Sequence, residues 1–285
     1  MHCSRLLPIL VVALMLAPGC ISEPAPPDGT VSAPAAGAVL PAVDPSAALA
    51  RFTADVNATL QEVDRDVGLA ATDLGRTGIA GPEANATLAR LAALSPHAAD
   101  AVTISADGRI AGVMPEEYWP SVGVYVGDES HNRQALSERR PLMSPVFPAA
   151  EGFDAVSIRW PVTDGKGTYL GLASVIFEPQ LLLADHADRA LAGTNFTAWA
   201  IDTDGRLIYD RDPGDLVGRT MITDPAFVEY PELVALTRRM IVEPAGSGTY
   251  TFTPAGGGPA VRKDAVWGTA GLHGTEWRLL VAREA

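Results

Sequence analysis

The chain has 285 residues and carries 34 acidic against 21 basic side chains, a formal net charge of −13, so its surface repels nucleic acid and anionic headgroups. Its two cysteines exclude a disulfide framework, and 47% hydrophobic residues over this length suffice for a core without one.

Residues 1–19 read as an export signal: Arg5 supplies a short basic start, and Leu6 to Leu16 form an apolar run broken only by Pro8. That run is shorter than the ~20 apolar residues a spanning helix needs. It ends in Leu16-Ala17-Pro18-Gly19-Cys20, which resembles the lipobox of prokaryotic lipoproteins, and this predicts a lipid on Cys20. Residues 20–45 are rich in Pro, Ala, Gly and Ser, a composition that favours an extended linker between lipid and domain. No later stretch is long and apolar enough to cross a bilayer.

The helical segment spans 46–98. With Ser46 as the expected N-cap, apolar residues recur at Leu49, Phe52, Val56, Leu60, Val63, Val67 and Leu74, mostly three or four apart, which predicts a long amphipathic helix. The break at Gly81-Pro82 starts a second helix running to Leu94.

The period then becomes alternating. Strands are expected over 101–105, 109–113, 155–162 and 169–177, with a loop-rich excursion between Met114 and Phe153 that includes a short helix over 130–139. A helix over 179–192 leads into strands near 196–201, 207–210, 248–252, 260–269 and 276–282, with a helix over 231–241.

Two phrases recur. ISADGRIAGVMP at 104–115 returns as IDTDGRLIYDRDP at 201–213, each an apolar run, an Asp-Gly-Arg turn and another run. Trp160, Gly167 and Thr168 are echoed by Trp267, Gly274 and Thr275. A period near 100 residues is too long for a solenoid, so it predicts a duplicated α+β unit in tandem, each a PAS-like antiparallel sheet with helices on one face.

Other chemistries are set aside on spacing. Asp202-Thr203-Asp204-Gly205 lacks the Gly and Glu positions of a calcium loop and reads as a hairpin turn. His97, His131, His186 and His273 share no ligand spacing, so no metal site is expected. No P-loop or G-x-S-x-G elbow is present, no catalytic residue is nominated, and no cofactor is expected. Three sequons begin at Asn57, Asn85 and Asn195, with Asn57 expected to face outward from the long helix.

A long helix followed by two such units, exported and membrane-attached, resembles the double Cache (PAS-like) family of extracytoplasmic sensor domains. The residues that carry the likeness are Ala106-Asp107-Gly108-Arg109, 127–133, 141–145, Glu151-Gly152 and the strand-turn-strand of 161–173, over roughly 46–284. The resemblance implies a membrane-distal Cache subdomain at 99–192 that binds a small ligand and a membrane-proximal one at 193–285. It also implies that the first helix serves both subdomains as a backbone and packs in a homodimer, although the stripe on that helix equally suits packing on its own chain.

Carried across, the resemblance places the ligand between the excursion and the strand after it, where Phe147 and Ser157 also fall. The candidate ligand-binding residues are Tyr118, Trp119, Tyr125, Asp128, His131, Arg133, Phe153 and Arg159, with Asp128, Arg133, Tyr118 and Trp119 weighted most. A guanidinium with a carboxylate and aromatic faces suits a small carboxylate or amine. Members that bind amino acids share an Arg closely followed by Trp and Tyr, whereas Gln134 and Ala135 follow Arg133, so the motif does not point to an amino acid.

The expected protein is thus a lipid-anchored, non-enzymatic small-molecule sensor on the extracytoplasmic face of the membrane. With no output segment before Ala285, a separate membrane-bound signalling or transport partner is expected to receive its report. The competing class is a structural or interaction protein of the cell envelope without a ligand, and an exported hydrolase using carboxylates near Asp128 comes third.

Overall fold

The computed structural model describes residues 44–149, 152–212, 216–253 and 258–285. The export signal, Cys20 and almost all of the linker lie outside the described residues. Helix α1 (Pro45–Thr77) is 33 residues long, about 50 Å at the α-helical rise. Its stripe is buried at every expected position from Leu49 to Leu74. Pro45 occupies the first turn, where its missing N–H costs nothing, and Asp44 is the extended N-cap without a side-chain cap bond. The helix therefore starts before Ser46, because proline already fixes the helical φ one residue earlier. It stops at Gly78, whose N–H returns to the Leu74 carbonyl. Helix α2 (Pro82–Leu94) follows and buries Leu88 and Leu91.

The first sheet contains β1 (Ala98–Ser105), β2 (Ile110–Met114), β3 (Leu142–Met143), β5 (Asp154–Thr163) and β6 (Tyr169–Phe177), in the order β2-β1-β6-β5-β3, with β4 (Phe147–Pro148) paired to β5. Helix α3 (Ser130–Glu138) lies in the excursion. Helix α4 (Pro179–Ala190) leads to the second sheet, made of β7 (Thr197–Asp202), β8 (Leu207–Asp210), β9 (Gly246–Phe252), β10 (Val261–Leu272) and β11 (Thr275–Glu284), in the order β8-β7-β11-β10-β9. Helix α5 (Pro231–Val242) is its excursion helix.

Both sheets are antiparallel throughout and their strand orders correspond: β1 to β7, β2 to β8, β5 to β10, β6 to β11 and β3 to β9. The two Asp-Gly-Arg phrases are the equivalent turns β1–β2 and β7–β8, and Trp160 and Trp267 stand on the equivalent strands β5 and β10. Gly167 and Gly274 occupy the equivalent turns at φ 85° and 91°, a left-handed conformation that explains why both copies keep glycine. The fold is a long N-terminal helix followed by two PAS-like sheets, the double Cache architecture.

Helix α1 lies on one face of both sheets. Its stripe shares a single buried cluster with Val156, Ile158 and Val175 of the first sheet and Ala198, Leu279 and Val281 of the second. The opposite face of each sheet carries its own cluster under the excursion. Polar ties fix the arrangement: Gly271 N–H donates to Asn57 Oδ1 at 3.0 Å, and the Thr275 hydroxyl donates to the Met143 carbonyl at 2.6 Å, joining the β10–β11 turn to β3. Asn57 thus turns toward the second sheet rather than outward, because its carbonyl completes the hydrogen bonding of a strand end. The Asp202 carboxylate accepts Asp204 and Arg206 N–H groups at 2.9 Å each, which makes its turn self-contained.

Candidate ligand site

Strand alternation builds the site. In β5, Val156 and Ile158 enter the cluster under α1, so Ser157 and Arg159 point to the far face. In β6, Ser174 stands between the core residues Ala173 and Val175, and in β1, Asp100 precedes Ala101 in the same way. Arg159 is paired across the sheet with Ser174, and Ser174 with Val102. A polar row therefore crosses the middle of the first sheet, with Val102, Ile104, Leu142 and Leu172 as its apolar surroundings.

Helix α3 closes over this row. Its inward residues are His131, Asn132 and Ala135, the i, i+1, i+4 set of a half-buried helix. Arg159 Nη1 donates to Asn132 Oδ1 at 2.5 Å, and Asn132 Nδ2 donates to Glu129 Oε2 and the Val126 carbonyl, each at 2.9 Å. His131 Nε2 lies 3.1 Å from the same Glu129 oxygen, and its ring stacks on Phe147 at 4.1 Å. The Arg159 guanidinium sits 6.0 Å from the Phe147 ring centre.

Burial governs the charges. Arg159 is 2% exposed, and burial pushes its pKa down to about 10 against the opposing pull of Glu129 and Asp100, so it stays a cation at neutral pH. His131 is pushed down to about 4 by burial, with Arg159 adding to the effect, so it is neutral there. Arg159 Nε and the hydroxyls of Ser157 and Ser174 have no hydrogen-bond partner among the protein atoms described. A buried guanidinium edge left unpaired in this way is costly, and a carboxylate is the group that matches it.

The eight nominated residues do not converge. His131 and Arg159 meet through Glu129, Asn132 and Phe147, and Tyr118 packs against the neighbouring apolar cluster. Asp128 and Arg133 are exposed, Arg133 Nη2 donating to the Asp128 carbonyl at 2.5 Å. Tyr125 is 48% exposed, its hydroxyl 3.4 Å from Asp128, and Trp119 is 44% exposed with its indole N–H on the Val113 carbonyl. Phe153 lines a separate cleft of about 450 Å³ between the two sheets, beside Asp154, Glu178, Ile208 and Val217. Asn132, Glu129, Asp100 and Ser174 complete the cluster without having been nominated. The inward phase of α3 selects Asn132 over its neighbour Arg133, and strand alternation selects Ser174, so both were signalled by periodicity.

The comparisons agree with this architecture. Residues 58–179 match the family model "HK/GC/Chemotaxis protein-like, sensor domain". The fold is similar to an extracellular ligand binding receptor from Desulfohalobium retbaense (TM-score 0.69, 27% identity, 82% of this chain). This chain spans only 39% of that receptor. The fold is also similar to the ligand-binding domain of the Pseudomonas aeruginosa amino acid chemoreceptor PctB in complex with L-Gln (TM-score 0.56, 15% identity, 84% of this chain and 88% of that one). It is similar as well to that of the Pseudomonas fluorescens chemoreceptor CtaA in complex with L-serine (TM-score 0.55, 14% identity, 82% and 92%). No curated protein matches the chain.

The fold is of the PAS-like class. The chain has a double Cache fold, and its residues 58–179 are similar to sensor domains of the HK/GC/chemotaxis protein-like type. Among the described residues no helix is long and apolar enough to cross a membrane.

Proposed function

We propose that the chain is an extracytoplasmic small-molecule sensor, tethered through a lipid on Cys20 and the 20–45 linker, with no enzymatic activity. Its distal subdomain, 99–192, takes the ligand, its proximal subdomain, 193–285, lies toward the membrane, and a separate membrane protein receives the signal. A homodimer through α1 would use the polar side of that helix, since the apolar stripe is spent on the chain's own sheets. The observation that carries the reading is Arg159, a buried cation whose Nε, like the hydroxyls of Ser157 and Ser174, has no hydrogen-bond partner among the described residues.

That chemistry favours a small carboxylate. The amino acid complexes of the similar chemoreceptors support this class, although the Arg-Trp-Tyr spacing is missing at Arg133. Thermal melting with small carboxylic acids, amino acids included, tests it: an acid at 100 times its Kd adds about 2.7 kcal/mol. Arg159→Gln removes that shift if the reading holds. If no acid raises the melting point of the wild-type chain, the envelope-structural class takes its place.

A further inference from the structure

The second sheet has a narrow slot on its excursion face, between β7–β8 and β9–β10. Cross-strand pairs build it: Trp199 faces Asp210 across β7 and β8, and Tyr250 faces Lys263 across β9 and β10. Asp212 follows β8, and Phe227 from the excursion also lines the slot. The volume is about 30 Å³, room for one small polar group. We propose that this slot is a second ligand site, one that binds a small ammonium group.

The charges favour a cation. Lys263 Nζ is engaged by Asp212 Oδ2 at 3.4 Å, and that same oxygen accepts the Thr197 hydroxyl at 2.9 Å. Asp210 accepts only the Asp212 N–H, at 3.0 Å, among the bonds described, and no described ion pair includes it. Two carboxyl groups thus stand against one lysine, and the lysine is committed. Trp199 Nε1 donates to the Tyr250 hydroxyl oxygen at 3.2 Å, which holds both rings as fixed walls. Aromatic faces beside a carboxylate recognise an ammonium, whereas a hard divalent ion needs six or more oxygen ligands. Among the described residues no group of three acidic, histidine or cysteine side chains is placed for a metal.

Titration of Asp210 supplies a signature. Burial raises its carboxyl to about 7, opposed first by the hydrogen bond from the Asp212 backbone N–H and then by the Lys263 charge, while the Asp212 carboxylate adds a smaller rise; Tyr250 is the other titratable group facing it. An arriving cation holds Asp210 ionised, so at pH 6 binding displaces its proton. Affinity therefore climbs with pH up to about 7 and levels off above.

The experiment is titration calorimetry of the full chain with ammonium chloride and with methylammonium chloride, each against equal sodium chloride. Binding is expected at pH 8, weaker roughly tenfold or more at pH 5.5. Repeating the pH 6 titration in two buffers of different ionisation heat should show ~1 proton released per ammonium bound. Asp210→Asn should abolish binding, and Tyr250→Phe, which keeps the ring, should weaken it several-fold. Binding of methylammonium alone assigns the slot to an alkylamine head, and equal binding of both salts assigns it to free ammonium. No binding beyond the sodium control, retention in Asp210→Asn, or no proton release in the wild-type chain overturns the proposal. The proton count needs no variant, so it decides even if Asp210→Asn does not fold.

Discussion

Asp64, in the middle of α1, accepts a hydrogen bond from Trp160 Nε1 of β5 at 2.7 Å. The same oxygen lies 2.7 Å from His273 Nε2, in the turn between β10 and β11. One carboxylate on the shared helix therefore touches both sheets. Both contacts come from the duplicated phrase, its tryptophan in the first copy and its turn in the second.

Asp64→Ala is expected to cost about 2 kcal/mol, since it leaves a half-buried indole N–H and an imidazole without their acceptor. Urea denaturation measures it. A loss below about 0.5 kcal/mol, the level of an ordinary surface substitution, would show that the node holds nothing together.

Phe52 is fully buried and meets Tyr209 edge-on at 6.3 Å, so it joins α1 to β8. Phe52→Ala should destabilise by about 3–5 kcal/mol. Leu69, on the same helix but 61% exposed, should tolerate alanine within about 0.5 kcal/mol. Equal effects at the two positions would contradict the packing of the stripe.

Stability should fall on the acid side through His131. Its folded pKa, about 4, is below the ordinary 6.5, so the folded state binds fewer protons than the unfolded one. The contribution is present in full above pH 6.5 and is lost as pH falls toward 4. His131→Phe, which retains a ring against Phe147, should remove that part of the pH dependence, on the order of 2 kcal/mol across the window. Asp210 acts with the opposite sign, its raised pKa withdrawing stability as pH rises from about 4 to about 7. Denaturation midpoints of His131→Phe and Asp210→Asn across pH 4–8 check both signs.

Gly274→Ala should cost about 1–2 kcal/mol, through strain alone, because φ is 91° and nothing lies within 4 Å of the added methyl. Gly165, equally open but without a positive φ, should accept alanine at little cost. Identical melting points for the two variants would show that the repeated turn glycines are not required.

Periodicity made much of the architecture legible. The α1 stripe and both hairpins lie where the three-to-four and two-residue spacings put them, because one face of each element is buried against the shared core. The two-residue strands β3 and β4 were not legible, being too short to show a period. At the site, Arg159 was readable as the inward partner of Ser157, while Asp128 and Arg133 drew attention by charge alone. On α3 one residue of phase separates Arg133 at the surface from Asn132 in the cluster. Phe153 precedes the first residue of β5 and so falls into the cleft beyond the strand end rather than onto the sheet face.

The most direct test of the account is the NMR signal of the Arg159 Nε–H, followed as an acid that raises the melting point is added. Because that hydrogen has no acceptor among the described residues, the account predicts a downfield shift that saturates with the melting curve. A resonance that stays in place while the protein is stabilised would contradict it, since the acid would then be bound somewhere other than at Arg159.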